Sequence, residues 1–272
     1  MLKRTLTALG LAVIGLPAII FGGVFYFLLI AIVLAGCAWE YVRMFRAVHL
    51  EPDQIVTIAG VLCIATARFF FPQAATPMFV LFILLAMAVH VVRYERGRDQ
   101  AAVDFAVTVT GVMYIGWLGS YLLDLRQLPQ GGWWLMIILP IIWAGDTGAY
   151  SIGSAYGRHK MTPRLSPKKS WEGYFAGLFT SIIVGAFFAY AFSSLNPQPL
   201  GGMITPLQGG FLGLVIGALA PLGDLGESMF KRQGGLKDSS NIFPGHGGFF
   251  DRIDSWIWGA ALGFFIIQFL IL

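Results

Sequence analysis

Long apolar stretches alternate with short polar ones along this chain. Runs near 6–38, 55–71, 76–92, 103–123, 133–152, 174–193, 208–223 and 254–272 carry at most one charged residue each. A helix needs about 20 such residues, at 1.5 Å rise, to cross a bilayer. The first run is too long for one crossing. "FGG" at 21–23 is its natural break, so it reads as two helices, 6–21 and 24–43, joined by a tight turn. The pattern predicts an all-α, polytopic membrane protein with about nine transmembrane helices.

Composition strengthens that reading. Hydrophobic residues make up 57% of the 272 and charged residues 12%, with a mean hydropathy of +0.74. A soluble domain carries roughly 25% charged residues. The basic residues then fix an orientation. With a cytoplasmic N-terminus, all of the 18 lysines and arginines except Arg68 and Arg126 fall on the cytoplasmic side. Arg68, near the outer end of the third span, is expected to snorkel toward the interface. The N-terminal residues resemble a signal peptide and "LAGC" at 34–37 a lipoprotein cleavage site, but the apolar stretch is far longer than a signal core. Cys37 and Cys63 lie in apolar runs and indicate no disulfide framework. A net charge of +4 gives no reason to expect a nucleic-acid partner. The chain divides into 1–125, an apolar scaffold, and 126–272, which holds most of the polar chemistry.

That chemistry has three sources. Asp146, in "IIWAGDTGAY", is an acid at membrane depth, which is costly and normally functional. Gly145 and Gly148 beside it are expected to let the helix break and expose backbone groups. "RLSPKKSWEG" sets Ser166, Lys168, Lys169 and Ser170 around Pro167, which is expected to make a turn before the next span; ammoniums and hydroxyls at one bend suit an oligophosphate. In 223–254, Asp224 and Glu227 stand at i, i+3, and Asp251 and Asp254 repeat that spacing after the loop. Converging carboxylates repel unless cations neutralise them, and hard oxygens suit Mg²⁺. Between the acid pairs lie Lys231, Arg232, Lys237 and several glycines, a phosphate cradle in composition, with His246 beside Gly247 and Gly248 as a further donor. No GxxxxGK[ST] is present, so a P-loop ATPase is not indicated. Acids for a metal and cations for phosphates at the inner membrane face point to phosphoryl or nucleotidyl transfer to a lipid.

"SMFKRQGGLKDSSNIFPGHGGFFDRID", 228–254, resembles the signature of the phosphatidate cytidylyltransferases, also called CDP-diacylglycerol synthases. The pattern is S-x-x-K-R, four residues, K-D, then a short spacer to H-G-G-x-x-D-R-x-D, and every fixed position is met. "GDTGAY" and "SPKKSWEG" are similar to other recurrent segments of that family. The resemblance implies a Mg²⁺-dependent reaction of CTP with phosphatidate. It also implies a homodimer in the bacterial cytoplasmic membrane, among membrane lipids, with its site facing the cytoplasm. On this reading Asp224 and Asp251 are metal ligands, with Asp254 and Asp146 nearby. Lys168, Lys169, Lys231, Arg232 and Lys237 hold phosphates. Ser166, Ser228, His246 and the Gly247–Gly248 backbone donate hydrogen bonds, and Asp238 and Arg252 complete the pattern. Two alternatives stay open: a CTP-dependent lipid kinase or cytidylyltransferase acting on another lipid, and an ion-coupled transporter using Asp146 and Asp224.

Overall fold

The computed structural model describes residues 2–195, 204–243 and 247–272. They form helices α1 (Leu2–Phe21), α2 (Gly23–Arg46), α3 (Gln54–Phe70), α4 (Ala75–Glu95), α5 (Ala101–Gly111), α6 (Tyr121–Gln127), α7 (Gly131–Tyr156), α8 (Trp171–Leu195), α9 (Pro206–Leu219), α10 (Pro221–Gln233) and α11 (Phe250–Ile266). A π-helical stretch, Val112–Leu118, joins α5 toward α6, and another, Ile267–Ile271, extends α11. The only strands among the described residues are β1 (Lys160–Thr162) and β2 (Ser166–Ser170), an antiparallel pair.

This is the polytopic all-α membrane protein that the hydropathy pattern predicts. Seven helical segments are long and apolar enough to cross a bilayer: Gly23–Arg46, Pro72–Glu95, Ala101–Gln127, Gly131–Tyr156, Trp171–Ser194, Pro206–Gln233 and Phe250–Ile271. Two shorter apolar helices, Ala12–Phe21 and Gln54–Phe70, stand where the first and third spans are expected. At 17 residues α3 is about 26 Å long, a little less than the ~30 Å hydrocarbon core. The break expected at "FGG" is present: Gly22 and Gly23 have φ of 65° and 58°, a left-handed conformation that a side chain would strain.

Two compact units emerge, Met1–Asp124 with Met229–Ile253, and Leu125–Ser228 with Asp254–Leu272. The first is built around Leu34, Tyr41, Ile64, Phe82 and Val112, all buried. Several of its buried or half-buried acids are paired with arginines. Arg93 binds Asp53, which caps α3 through Val56 N–H at 2.8 Å, and Arg98 Nε lies 2.7 Å from Asp104. Arg68 does not snorkel. It is buried, binds Asp124, and lies 4.2 Å over the rings of Trp117 and Tyr121, so an acid and two π faces replace the water it would otherwise seek.

The second unit centres on Trp134, Leu135, Ile138, Ile216 and Ile257. Here the expectation for Gly145 and Gly148 is corrected. Helix α7 runs unbroken from Gly131 to Tyr156. The glycines instead give way to α8, because a Cβ at either position would strike Ser181 Oγ or Thr180 Oγ1. Small residues at a membrane-helix seam let backbones approach closely.

Candidate active site

The break between α9 and α10 prepares the site. Pro221 lacks the N–H that would continue α9, and it opens α10 with Asp224 in its first turn. Glu227 lies on the same helical face. Asp254 comes from α11, and Gly223 decides how near it can come. A Cβ on Gly223 would overlap the carbonyl oxygen of Asp254 and sit 2.8 Å from the Trp258 ring. With hydrogen there instead, Asp224, Glu227 and Asp254 bring one carboxylate oxygen each within 4.8 Å of one another. Glu227 is buried and the two aspartates are half-buried. At an effective dielectric of ~20, like charges 4.8 Å apart repel by about 3.5 kcal/mol or more, so the group calls for positive charge.

Part of that charge is in place. Lys169 Nζ lies 2.7 Å from Asp224 Oδ2, and Ser228 Oγ donates to Asp224 Oδ1 at 3.3 Å. The β1–β2 hairpin delivers the lysine. Its register pairs Lys160 with Ser170 and Thr162 with Ser166, so the turn falls at 163–165 and Pro167 lies within β2, not at the bend. Neighbouring residues on a strand point to opposite sides. Lys168 is accordingly exposed and Lys169 is partly covered against Asp224. The hairpin base is closed by Trp171 N–H donating to His159 O at 2.9 Å and by Glu172, 2.6 Å from His159 Nδ1. Ser166 is half-buried. Asp146 is exposed on α7, and the three-carboxylate group does not include it.

The remaining signature residues lie in the first unit. Asp251, in the first turn of α11, is fully engaged: Lys231 Nζ is 2.6 Å from Oδ1, while Oδ2 accepts from Ser239 N–H at 2.9 Å and Gly248 N–H at 2.9 Å and lies 2.7 Å from Ser239 Oγ. Gly247 has φ of 76°, and a Cβ there would overlap Asp251 Oδ2. Gly248 N–H therefore serves Asp251, where the glycine-rich composition predicts a phosphate. Arg232, Lys237, Asp238 and Arg252 are exposed, and Arg232 donates to Leu236 O at 3.1 Å. His246 lies outside the described residues. One buried acid that binds this segment, Glu40 on α2, escaped the sequence reading. The signal was available, since Glu40 interrupts an apolar run just as Asp146 does.

Fold and site define a polytopic integral membrane protein with a carboxylate group suited to a cation and a lysine beside it. The chain belongs to the cytidylyltransferase family, whose model matches residues 2–270. It is similar to the phosphatidate cytidylyltransferase of Pseudomonas aeruginosa, at 34% identity over 93% of this chain and 92% of that protein. Enzymes of the same name from a Synechocystis strain and from Staphylococcus aureus are each 32% identical, covering 96% and 93% of this chain and 95% and 94% of their own lengths.

Proposed function

We propose that this protein transfers the cytidylyl group of CTP to phosphatidate, forming CDP-diacylglycerol and pyrophosphate. The observation that carries the reading is the convergence of Asp224, Glu227 and Asp254 with Lys169 on Asp224, in a chain of this family whose 228–254 segment meets the whole signature. Three hard-oxygen ligands within 4.8 Å fit a divalent cation such as Mg²⁺. Bound there, the ion would neutralise the carboxylates and the phosphate oxygens of CTP.

The chain's own residues supply the rest. The phosphate of phosphatidate is an anion near neutral pH and needs no general base. One of its oxygens attacks the α-phosphorus of CTP; the bond from that phosphorus to the β-phosphate oxygen breaks, and pyrophosphate leaves in line with the attack. The difficulty is to bring two anions together, so cations fixed in advance are the main catalytic resource. Lys169 is one, held at the carboxylate group by Asp224. Asp224 in turn stands in the first turn of α10, where the helix dipole favours negative charge. The apolar spans keep the acyl chains in the bilayer while the polar segments meet the nucleotide. The reading carries with it a cytoplasmic-membrane location and a site facing the cytoplasm, which the distribution of basic residues supports, and the homodimer that the family resemblance implies.

Lys169→Ala should lower kcat/KM for CTP by about 10- to 100-fold, the effect of losing one charge-assisted contact. Membrane insertion and thermal stability should change little. An unchanged kcat/KM would return Lys169 to an ordinary juxtamembrane charge. For the lipid, a panel of acceptors with CTP and Mg²⁺ tests the reading: phosphatidate should turn over, while polyprenols and polyprenyl phosphates should not. Turnover confined to an isoprenoid acceptor would overturn it.

A further inference from the structure

We propose that Glu40 is a positioning residue for the transfer step, clamping the signature segment to α2 and, through Ser239, orienting Asp251. Glu40 has no solvent exposure. Its Oε1 accepts from Ser240 Oγ at 2.5 Å and Phe249 N–H at 2.9 Å. Its Oε2 accepts from Ser239 Oγ at 2.8 Å and Phe250 N–H at 2.8 Å. One carboxylate thus holds two limbs of the segment, one at 239–240 and one at 249–250. A bond from Phe243 N–H to Gly247 O, 2.9 Å, ties the same limbs together.

The surroundings are shaped to this contact. A Cβ on Gly248 would overlap Glu40 Oε1 and Ser239 Oγ, so glycine there makes room for the carboxylate. One turn before Glu40, a Cβ on Gly36 would fall on the Phe249 ring. Gly36 and Glu40 lie at i, i+4, so one face of α2 receives the segment. Ser239 Oγ is the link onward, lying 2.8 Å from Glu40 and 2.7 Å from Asp251. A hydroxyl has a single proton to give, so Ser239 donates to one acid at a time while its oxygen stays within hydrogen-bond distance of both.

An acid inside an apolar helix is costly, and well-packed apolar residues often stabilise as well as a buried charge does. What the carboxylate supplies, and an apolar side chain does not, is a fixed position for four donors on the segment that carries Asp251. Glutamine has nearly the same shape but would turn an amide N–H₂ toward two of those donors.

The inference rests on the cytidylyl-transfer reading above, and its test keeps the two apart. Wild type, Glu40→Gln and Ser240→Ala would be purified in detergent and compared in kcat, KM for CTP, melting temperature and amide hydrogen exchange over 239–250. For Glu40→Gln, kcat should fall at least 10-fold with KM for CTP within about 3-fold; Ser240→Ala should lose about 3- to 10-fold in kcat. Exchange should quicken at 239–243 and 247–250 and not in the helices of the second unit. Folded Glu40→Gln protein with wild-type kcat, whatever its melting temperature, would overturn the proposal. Should Glu40→Gln not fold, Ser240→Ala decides in the same way, wild-type kcat counting against it. A wild type that does not transfer the cytidylyl group defeats the earlier reading, and the exchange rates alone then decide the clamp: unchanged exchange in Glu40→Gln would sink it.

Discussion

Asp224→Asn and Asp254→Asn are each expected to abolish turnover, by more than about 100-fold, while the protein still inserts and purifies. Asparagine keeps the shape of the side chain and removes its charge. The two aspartates reach the same point from different helices, with an oxygen of each within 4.8 Å of the other and of Glu227. If the three serve one cation, losing either aspartate removes the same function. The double variant should then be scarcely worse than either single one, because groups that act as a unit are not additive. Removing negative charge from a repelling cluster should also leave melting temperature unchanged or raised in the absence of Mg²⁺. Separate structural acids predict the reverse: stability losses that add, with activity surviving. Turnover against Mg²⁺ concentration and melting temperature, measured for both single variants and the double, decide between them.

Gly223→Ala is expected to be almost as damaging, although it changes no charged group. The added methyl would overlap the Asp254 carbonyl and press on Trp258. Both are parts of α11 and neither is a flexible side-chain tip, so α11 must move away from α10. Overpacking of this kind costs about 1–3 kcal/mol of stability. The effect on catalysis should be larger, because a displacement of ~1 Å can cost about 100-fold in rate. Asp254 would leave the carboxylate group with its chemistry intact. Kinetics and thermal unfolding of Gly223→Ala test this. Wild-type kcat would mean that Asp254 has no need to come so near.

Much of this was legible in the sequence, and the exceptions have physical causes. Apolar runs set the helices because hydrocarbon leaves backbone groups no partner outside the helix. The runs at 133–152 and 174–193 accordingly appear as α7 and α8, and "FGG" at 21–23 as a turn. Spacing also exposed the acid pairs at 224/227 and 251/254. Which acids would converge was not readable, because that depends on the contact Gly223 makes with a distant helix. Gly145 and Gly148 illustrate the same difficulty. A glycine in an apolar helix permits either a break or a close neighbour, and only packing against Ser181 and Thr180 selects the second. The hairpin at 160–170 escaped because its few residues alternate too briefly to signal strands, and Pro167 tolerates a strand in so small a sheet. Glu40 carries no motif signal, because it lies in the half of the chain without motifs and its four donors sit about 200 residues later.

The most direct test of the central claim follows two labels in one reaction. Purified protein in phosphatidate-containing micelles would receive CTP labelled at the α-phosphate or at the γ-phosphate, with Mg²⁺. Cytidylyl transfer sends the α label into the lipid phase and releases the γ label as water-soluble pyrophosphate. The γ label in the lipid with the α label left in water would mark a kinase and contradict the account, as would no lipid label at all.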